Sequence, residues 1–396
     1  MRKLSDLGDL DGKRVLVRVD FNVPLEGSSD AGGVRVVDDG RIRAALPTIE
    51  ELRNRGARLV LVSHLGRPRD REPDLSMRPV ADRLAELCGA DVTLAPGVVG
   101  DEVRAFADNL LPRDILVLEN VRFEPGETSN DAALAEALAG LADVYVNDAF
   151  GAAHRAHAST EGVARLVPVR AAGLLLEREV TVLTELLSDP KRPLAAVLGG
   201  AKVSDKIALI DRFLTHADAI LVGGAMCFPF LSAQGHPVGS SLCAPDDVEL
   251  AGRALEAAGS ARAAMELPRD LVAAERLAAE AEAQTLPGVD VPDGLMGLDI
   301  GPRTAEAYAQ SIVRAGTVFW NGPMGAFELE PFAAGTRAVA EAVAEAPGAT
   351  VVGGGDSGSA LQQLGLADRV THLSTGGGAA LELIEGKELP GVEVLK

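Results

Sequence analysis

Short runs of consecutive apolar residues alternate along the chain with stretches in which apolar positions recur every three or four residues. The first set of runs is RVLVRVDFN (14–22), ARLVLVSHLG (57–66), DVTLAPG (91–97), DILVLENVRF (114–123) and ADVYVNDAFG (142–151). A second set follows: PLAAVLGG (193–200), ADAILVGGAM (217–226), GTVFWNGPMG (316–325), ATVVGGGDS (349–357) and THLSTGGG (371–378). Runs of this length, rich in β-branched residues, predict buried strands. The stretches between them read as helices; in RIRAALPTIEELRNRG (41–56), Ile42, Leu46, Ile49 and Leu52 fall on one face. Regular alternation predicts α/β architecture, with parallel sheets covered by helices on both sides. Two such sets predict two doubly wound domains, and LLLEREVTVLTELLSDPKRP (174–193) reads as a connector helix ending at Pro190.

Polar residues and glycines gather just past the carboxyl ends of these strands, the edge at which open α/β sheets bind ligands. The first set offers Asp20, Asn22, His64, Arg67, Arg122 and Arg155; the second offers glycine clusters with Lys202, Lys206, Asn321, Glu328 and Asp356. One edge is cationic and the other suits a nucleotide. In LGGAKVSDK (198–206), two glycines close a strand, and Lys202 and Lys206 stand one helical turn apart. Paired cations at a helix N-terminus oppose the macrodipole, which an anion would reconcile. Glycines at 199–200, 353–355 and 376–378 could turn backbone N–H groups toward phosphates.

Composition narrows the partners. The 396 residues suffice for two or three domains, with 47% hydrophobic and 24% charged residues. A net charge of -20 and an aromatic content of 3% argue against nucleic acid, although not against a small anion in a basic pocket. Cys88, Cys227 and Cys243 show neither metal spacing nor a disulfide framework. No signal core or membrane-length run is found, so a cytoplasmic protein is expected, with no membrane partner. GGGDSG (353–358) fits a dinucleotide fingerprint, which raises an NAD-dependent dehydrogenase. The acidic residue expected about 20 positions later is missing from HLSTGGG. His154 and His157 lack a third metal ligand at suitable spacing. No Ser–His–Asp order, GxSxG or isolated carboxylate pair stands out. Phosphoryl transfer, which depends on positioning and charge, suits that absence.

Nine segments, RVDFNVP, SHLGRP, LENVRF, NDAFGAAHRAHAS, GGAKVSDK, MGLDIGP, WNGPMGAFE, GGGDS and STGGGAALELIEGKELPGV, resemble the phosphoglycerate kinase family in order and spacing. The resemblance implies reversible phosphoryl transfer between 1,3-bisphosphoglycerate and ADP, giving 3-phosphoglycerate and ATP with Mg²⁺. It implies a monomer that closes over both ligands and transfers the group in line. A triose domain of residues 1–173 plus the returning tail 379–396 is expected, with a connector at 174–193 and a nucleotide domain at 194–378. By the family pattern Asp20, Phe21 and Asn22 form the triose loop. His64, Arg67, Arg122 and Arg155 hold the phosphate that stays, and Leu65 and Gly66 belong to the same substrate site. Arg41 faces the reacting group, with Arg35 and Arg43 as the alternatives, because the 25–40 segment before it is longer than usual. Lys202 and Gly376, Gly377 and Gly378 attend the moving phosphoryl. Lys206, Gly297, Asn321, Glu328, Gly354, Gly355, Asp356 and Ser357 take the nucleotide, with Asp356 on the metal. A non-catalytic nucleotide-binding protein on the same fold is the alternative.

Overall fold

The computed structural model describes residues 1–28 and 33–396. The chain divides into two compact units, Met1–Thr181 with Lys387–Lys396, and Val182–Gly386. Each is built on a six-stranded parallel sheet.

In the first unit the strands are β1 (Arg14–Arg18), β2 (Leu25–Ser28), β3 (Gly33–Val36), β4 (Arg58–Val62), β5 (Val92–Leu94), β6 (Ile115–Val117), β7 (Val144–Asn147) and β8 (Arg170–Ala172). Their main sheet runs β5-β6-β4-β1-β7-β8, and all of its pairings are parallel. Val15, Leu16 and Val17 of β1 and Leu59 to Val62 of β4 are fully buried, as strands covered on both faces must be. The helix Gly40–Asn54 turns Ile42, Ala45, Ile49 and Leu52 into this core, whereas Leu46 lies only at its margin. β2 and β3 form an antiparallel hairpin within the 25–40 segment, whose residues 29–32 lie outside the described residues.

The second unit contains β9 (Leu194–Leu198), β10 (Ala219–Val222), β11 (Ala264–Glu266), β12 (Leu271–Ala274), β13 (Gln284–Leu286), β14 (Met296–Ile300), β15 (Thr317–Asn321), β16 (Ala349–Gly353) and β17 (His372–Leu373). Its parallel sheet runs β11-β10-β9-β15-β16-β17, the order of a dinucleotide fold. A separate antiparallel sheet, β13-β12-β14, was not foreseen. Its strands are three to five residues long and carry a register shift at Val272/Ala273, so no sustained alternation marks them. The edge strands β8 and β11 were likewise too short to register as periodic runs.

The stretch read as a connector forms the helix Leu174–Ser188, which stops before Pro190, and the division between the units falls within it, at Thr181/Val182. Its first turn is fixed within the first unit. Leu175 and Leu176 N–H donate to Asp148 Oδ1 (2.9 and 3.3 Å), and Leu174 N–H donates to Thr48 Oγ1 (2.9 Å). Burial raises the Asp148 carboxyl to about 6 despite these bonds. The C-terminal tail joins the same unit. Gly391 N–H donates to the Ala153 carbonyl (2.9 Å), Asn147 Nδ2 donates to the Gly391 carbonyl (3.0 Å), and Leu395 is buried. Among the described residues no helix is long and apolar enough to cross a membrane.

Candidate functional site

Strand order reverses at β1/β7 in the first unit and at β9/β15 in the second, and such reversals open a crevice beyond the carboxyl ends. Most of the residues singled out from the sequence follow the carboxyl ends of main-sheet strands, whereas Arg41 lies on the helix Gly40–Asn54 and Gly297 on β14 of the separate antiparallel sheet.

Beyond β1, Phe21 is buried and its N–H donates to Ser63 Oγ (2.9 Å), which fixes the loop on β4. Asn22 N–H donates to Asp20 Oδ1 (3.3 Å), and Gly66 N–H donates to Asn22 Oδ1 (2.8 Å). Arg41, on the first turn of the helix Gly40–Asn54, donates through Nη1 to both Asp20 oxygens at 3.2 and 3.3 Å. Its neighbours are engaged elsewhere, Arg35 with Glu26 and Arg43 with Asp39. Arg67, Arg122 and Arg155 line a cavity of about 370 Å³. Arg122 donates to the Gly66 carbonyl (2.5 Å). Burial, and then the charges of Arg18, Arg155 and Arg67, push its guanidinium down from the usual range. Five guanidinium donors with no acceptor suit an oxyanion.

His64 is buried beside this cluster, with Leu65 packed in the core behind it. Arg18 Nη2 lies 3.1 Å from His64 Nδ1. A guanidinium can only donate, so Nδ1 accepts and the ring proton resides on Nε2. Burial first, then the charges of Arg18, Arg122 and Arg41, hold the imidazole well below its ordinary pKa. His64 is therefore a neutral donor.

Several residues that support this cluster escaped the sequence reading. Arg18, fully buried, donates from Nε to Ser159 Oγ (2.8 Å), which donates to Glu127 (2.7 Å). Glu127 also accepts the Ser159 N–H (2.9 Å) and lies 3.6 Å from His157 Nδ1. Burial pushes its carboxyl up, but hydrogen bonds from His157 and Ser159 and the Arg18 charge leave it lowered. Asn120 binds the Leu65 N–H (3.1 Å) and the Leu65 carbonyl (2.7 Å), tying the loop after β4 to the one after β6. A charge inside the apolar run VLVRV (15–19) was the available signal for Arg18. His154 accepts from Arg155 Nε (3.1 Å), and no group of three or more metal-type side chains occurs among the described residues.

In the second unit, Gly199 N–H donates to the Asn321 carbonyl (3.0 Å) and Gly200 N–H to the Pro323 carbonyl (3.1 Å). A Cβ at Gly199 would lie 2.1 Å from the Pro323 oxygen, so only glycine permits this approach. The lysines do not share a helical turn. Lys202 lies in irregular chain, residues 204–206 form a turn, and the helix Ile207–His216 begins only after Lys206. Gly200, at φ +111°, diverts the chain, and Asp247 Oδ1 holds the Ser204 N–H at 2.9 Å. Lys202 is exposed. Lys206 Nζ donates to the Asn321 carbonyl (3.4 Å). Burial lowers its ammonium to about 8, opposed by the charges of Asp356 and Asp205.

Asn321 Nδ2 donates to the Gly353 carbonyl (2.7 Å), while its Oδ1 is buried without a hydrogen-bond partner. Ser357 Oγ accepts the Gly322 N–H (2.6 Å). Gly354 adopts φ +93°, and the helix Gly355–Gln363 opens with Gly355, Asp356 and Ser357, whose N–H groups precede its first intrahelical bond. Lys206, Asn321 and the 354–357 turn thus converge. Gly376 N–H donates to Ser374 Oγ (3.1 Å), and Gly377 and Gly378 open the helix Gly378–Ile384. Gly297 lies against the Phe228 ring, where a Cβ would meet Cζ at 2.2 Å. Ala326 N–H donates to the Leu298 carbonyl (2.9 Å), bringing the exposed Glu328 segment onto β14 beside Gly297.

The family model for phosphoglycerate kinase matches residues 4–387. A phosphoglycerate kinase of Moorella thermoacetica is 54% identical over 393 residues, covering 99% of this chain and 98% of the relative. One of Rubrobacter xylanophilus is 54% identical over 396 residues, covering 100% and 98%. The solved phosphoglycerate kinase of Coxiella burnetii superposes with a TM-score of 0.88 at 40% identity, covering 99% of this chain and 98% of its own. That of Pyrococcus horikoshii gives 0.83 at 31% identity, covering 100% and 98%.

The tautomer of His64 is directly measurable. Nitrogen-15 NMR of labelled histidine should show His64 protonated at Nε2 alone and not titrating from about pH 6 to 8. A resonance that gains a second proton in that range would refute the Arg18 contact.

Proposed function

The chain belongs to the phosphoglycerate kinase family, and from that premise we propose how its two crevices divide the reaction between 1,3-bisphosphoglycerate and ADP. The first unit takes the triose. Arg67, Arg122 and Arg155 hold the phosphate that stays, with neutral His64 donating beside them, while Asp20 and Asn22 take the hydroxyl end. Arg41, held by Asp20, faces the carboxyl group that gives up or accepts the phosphoryl. The second unit takes the nucleotide: Lys206 and the N–H groups of the 354–357 turn receive phosphates, Glu328 the ribose, and Gly297 the base end. The buried, unpartnered Asn321 Oδ1 and the converging glycine turn support this reading most strongly.

The residues fit Mg²⁺. Asp356 offers an exposed hard oxygen at a helix start where the phosphates would lie, and this ion commonly takes one carboxylate with substrate phosphates. When bound, Mg²⁺ neutralises phosphate charge. The protein's own contribution is orientation and fixed donors. Arg41, Lys202 and the amides of Gly376 to Gly378 would stabilise charge on the moving group as it passes in line from one oxygen to the other. A carboxylate acceptor needs no base. Family membership disfavours the oxidoreductase and non-catalytic readings, and Arg41, Lys206 and Asp356 are all present.

In-line transfer needs the reacting atoms about 3–3.5 Å apart in a dry site. We therefore expect the protein, as a monomer, to close when both substrates bind. Small-angle scattering should show greater compaction with 3-phosphoglycerate and a non-hydrolysable ATP analogue together than with either alone. An unchanged radius in the ternary state would remove closure from the mechanism.

A coupled assay with 3-phosphoglycerate and ATP tests the function itself. Arg155→Ala should raise KM for 3-phosphoglycerate about 10-fold or more and leave KM for ATP nearly unchanged. Lys202→Ala should lower kcat about a hundredfold, near 3 kcal/mol, because its contact forms as the group moves. A normal triose KM in the first variant, or a kcat within a few-fold in the second, would overturn that assignment.

A further inference from the structure

One buried carboxylate of the second unit has no role in the scheme above. Asp299, on β14, is 4% exposed. Its Oδ2 accepts the Gly335 N–H at 2.7 Å and its Oδ1 accepts the Ile300 N–H at 2.9 Å. A Cβ on Gly325 or on Gly335 would lie 2.3 Å from Oδ1, so the segment between them closes against the carboxylate at both ends. Two more bonds fix the same segment: Ala326 N–H to the Leu298 carbonyl (2.9 Å) and Met324 N–H to Thr336 Oγ1 (3.0 Å). Glu328 lies within this span.

We propose that Asp299 is a positioning residue for the nucleoside end of the substrate, its carboxylate clamping residues 324–335 so that Glu328 is presented beside Gly297. The proposal rests on the assignment of Glu328 to the ribose. The Gly335 N–H on Oδ2 ties the segment to β14, and the Ile300 N–H on Oδ1 fixes the orientation of the carboxylate. An amide would turn a donor toward one of those N–H groups, and the protonated acid would accept from them more weakly.

The surroundings make this clamp sensitive to pH near neutrality. Burial raises the carboxyl to about 7, against the bonds from Gly335 and Ile300 that lower it. The residue opposite on β12 is Val272, and the helix Ala334–Glu345 presents Gly335. From the helix Cys227–Ala233 comes Cys227, whose thiol burial pushes up so that it stays neutral. The carboxylate thus prevails above about pH 7, and the clamp loosens as pH falls through that value. Affinity for the nucleotide should fall with it.

The test compares Asp299→Asn with the unaltered enzyme in steady-state assays from about pH 6 to 8.5. Protonation of ATP itself acts on both proteins alike, so the ratio of their KM values for ATP carries the result. We expect that ratio to be about five- to tenfold at the alkaline end and near one at the acid end. The kcat and the KM for 3-phosphoglycerate should stay within about twofold. A ratio independent of pH, or an equal loss for the triose, would overturn the proposal. Should Asp299→Asn fail to fold, the Gly335 amide of the unaltered protein decides. Its nitrogen-15 resonance should titrate with a midpoint near pH 7, and a static resonance would refute the clamp. Absence of all turnover with ATP and 3-phosphoglycerate would instead refute the functional assignment, while the amide titration would still report on Asp299.

Discussion

Everything in the proposed chemistry depends on where two parallel sheets reverse their strand order. At β1/β7 and at β9/β15, neighbouring strands send their connections to opposite faces, so their carboxyl ends border an open crevice. The two crevices are furnished differently. In the first unit, long guanidinium side chains reach into a cavity of about 370 Å³. In the second, the backbone itself approaches: glycines at 199, 322 and 354 let loops come within contact distances that no side chain would allow. Long arginines can grip a compact phosphate, whereas bare N–H groups at a helix start can line a polyphosphate chain.

The chain carries a net charge of -20, so its distant field opposes an anionic substrate. Screening limits that field to about 8 Å at physiological salt, and local cations decide binding. Keeping them clustered is costly, and the structure offsets the repulsion from beneath. Glu127 counterbalances the Arg18 charge through Ser159, and His64 stays uncharged, so it adds a donor without adding repulsion. Lys206, lowered to about 8 by burial, remains mostly protonated at neutral pH and would be favoured further by an arriving phosphate.

Much of this was legible in the sequence because parallel strands buried on both faces leave continuous apolar runs. Ten such runs gave ten of the twelve strands in the two main sheets, and the glycine and arginine clusters followed from their positions after the runs. The edge strands β8 and β11 are three residues long and leave no period. The spacing of Lys202 and Lys206 misled, because a four-residue interval means a shared face only inside a helix, and the helix here begins only at Ile207. The supporting residues, Asn120, Glu127 and Asp299, were out of reach for another reason. Each earns its role from partners distant in sequence, such as Gly335 for Asp299.

The central claim is that each unit's crevice holds one reactant. Hydrogen exchange read by mass spectrometry on the intact protein, with one ligand at a time, tests it most directly. With 3-phosphoglycerate alone, exchange should slow in segments 63–69, 118–124 and 150–160 and stay unchanged in 199–206, 321–328 and 353–358. With ATP and Mg²⁺ alone the pattern should invert. Protection of the 353–358 turn by 3-phosphoglycerate, or of the arginine segments by ATP, would contradict the account.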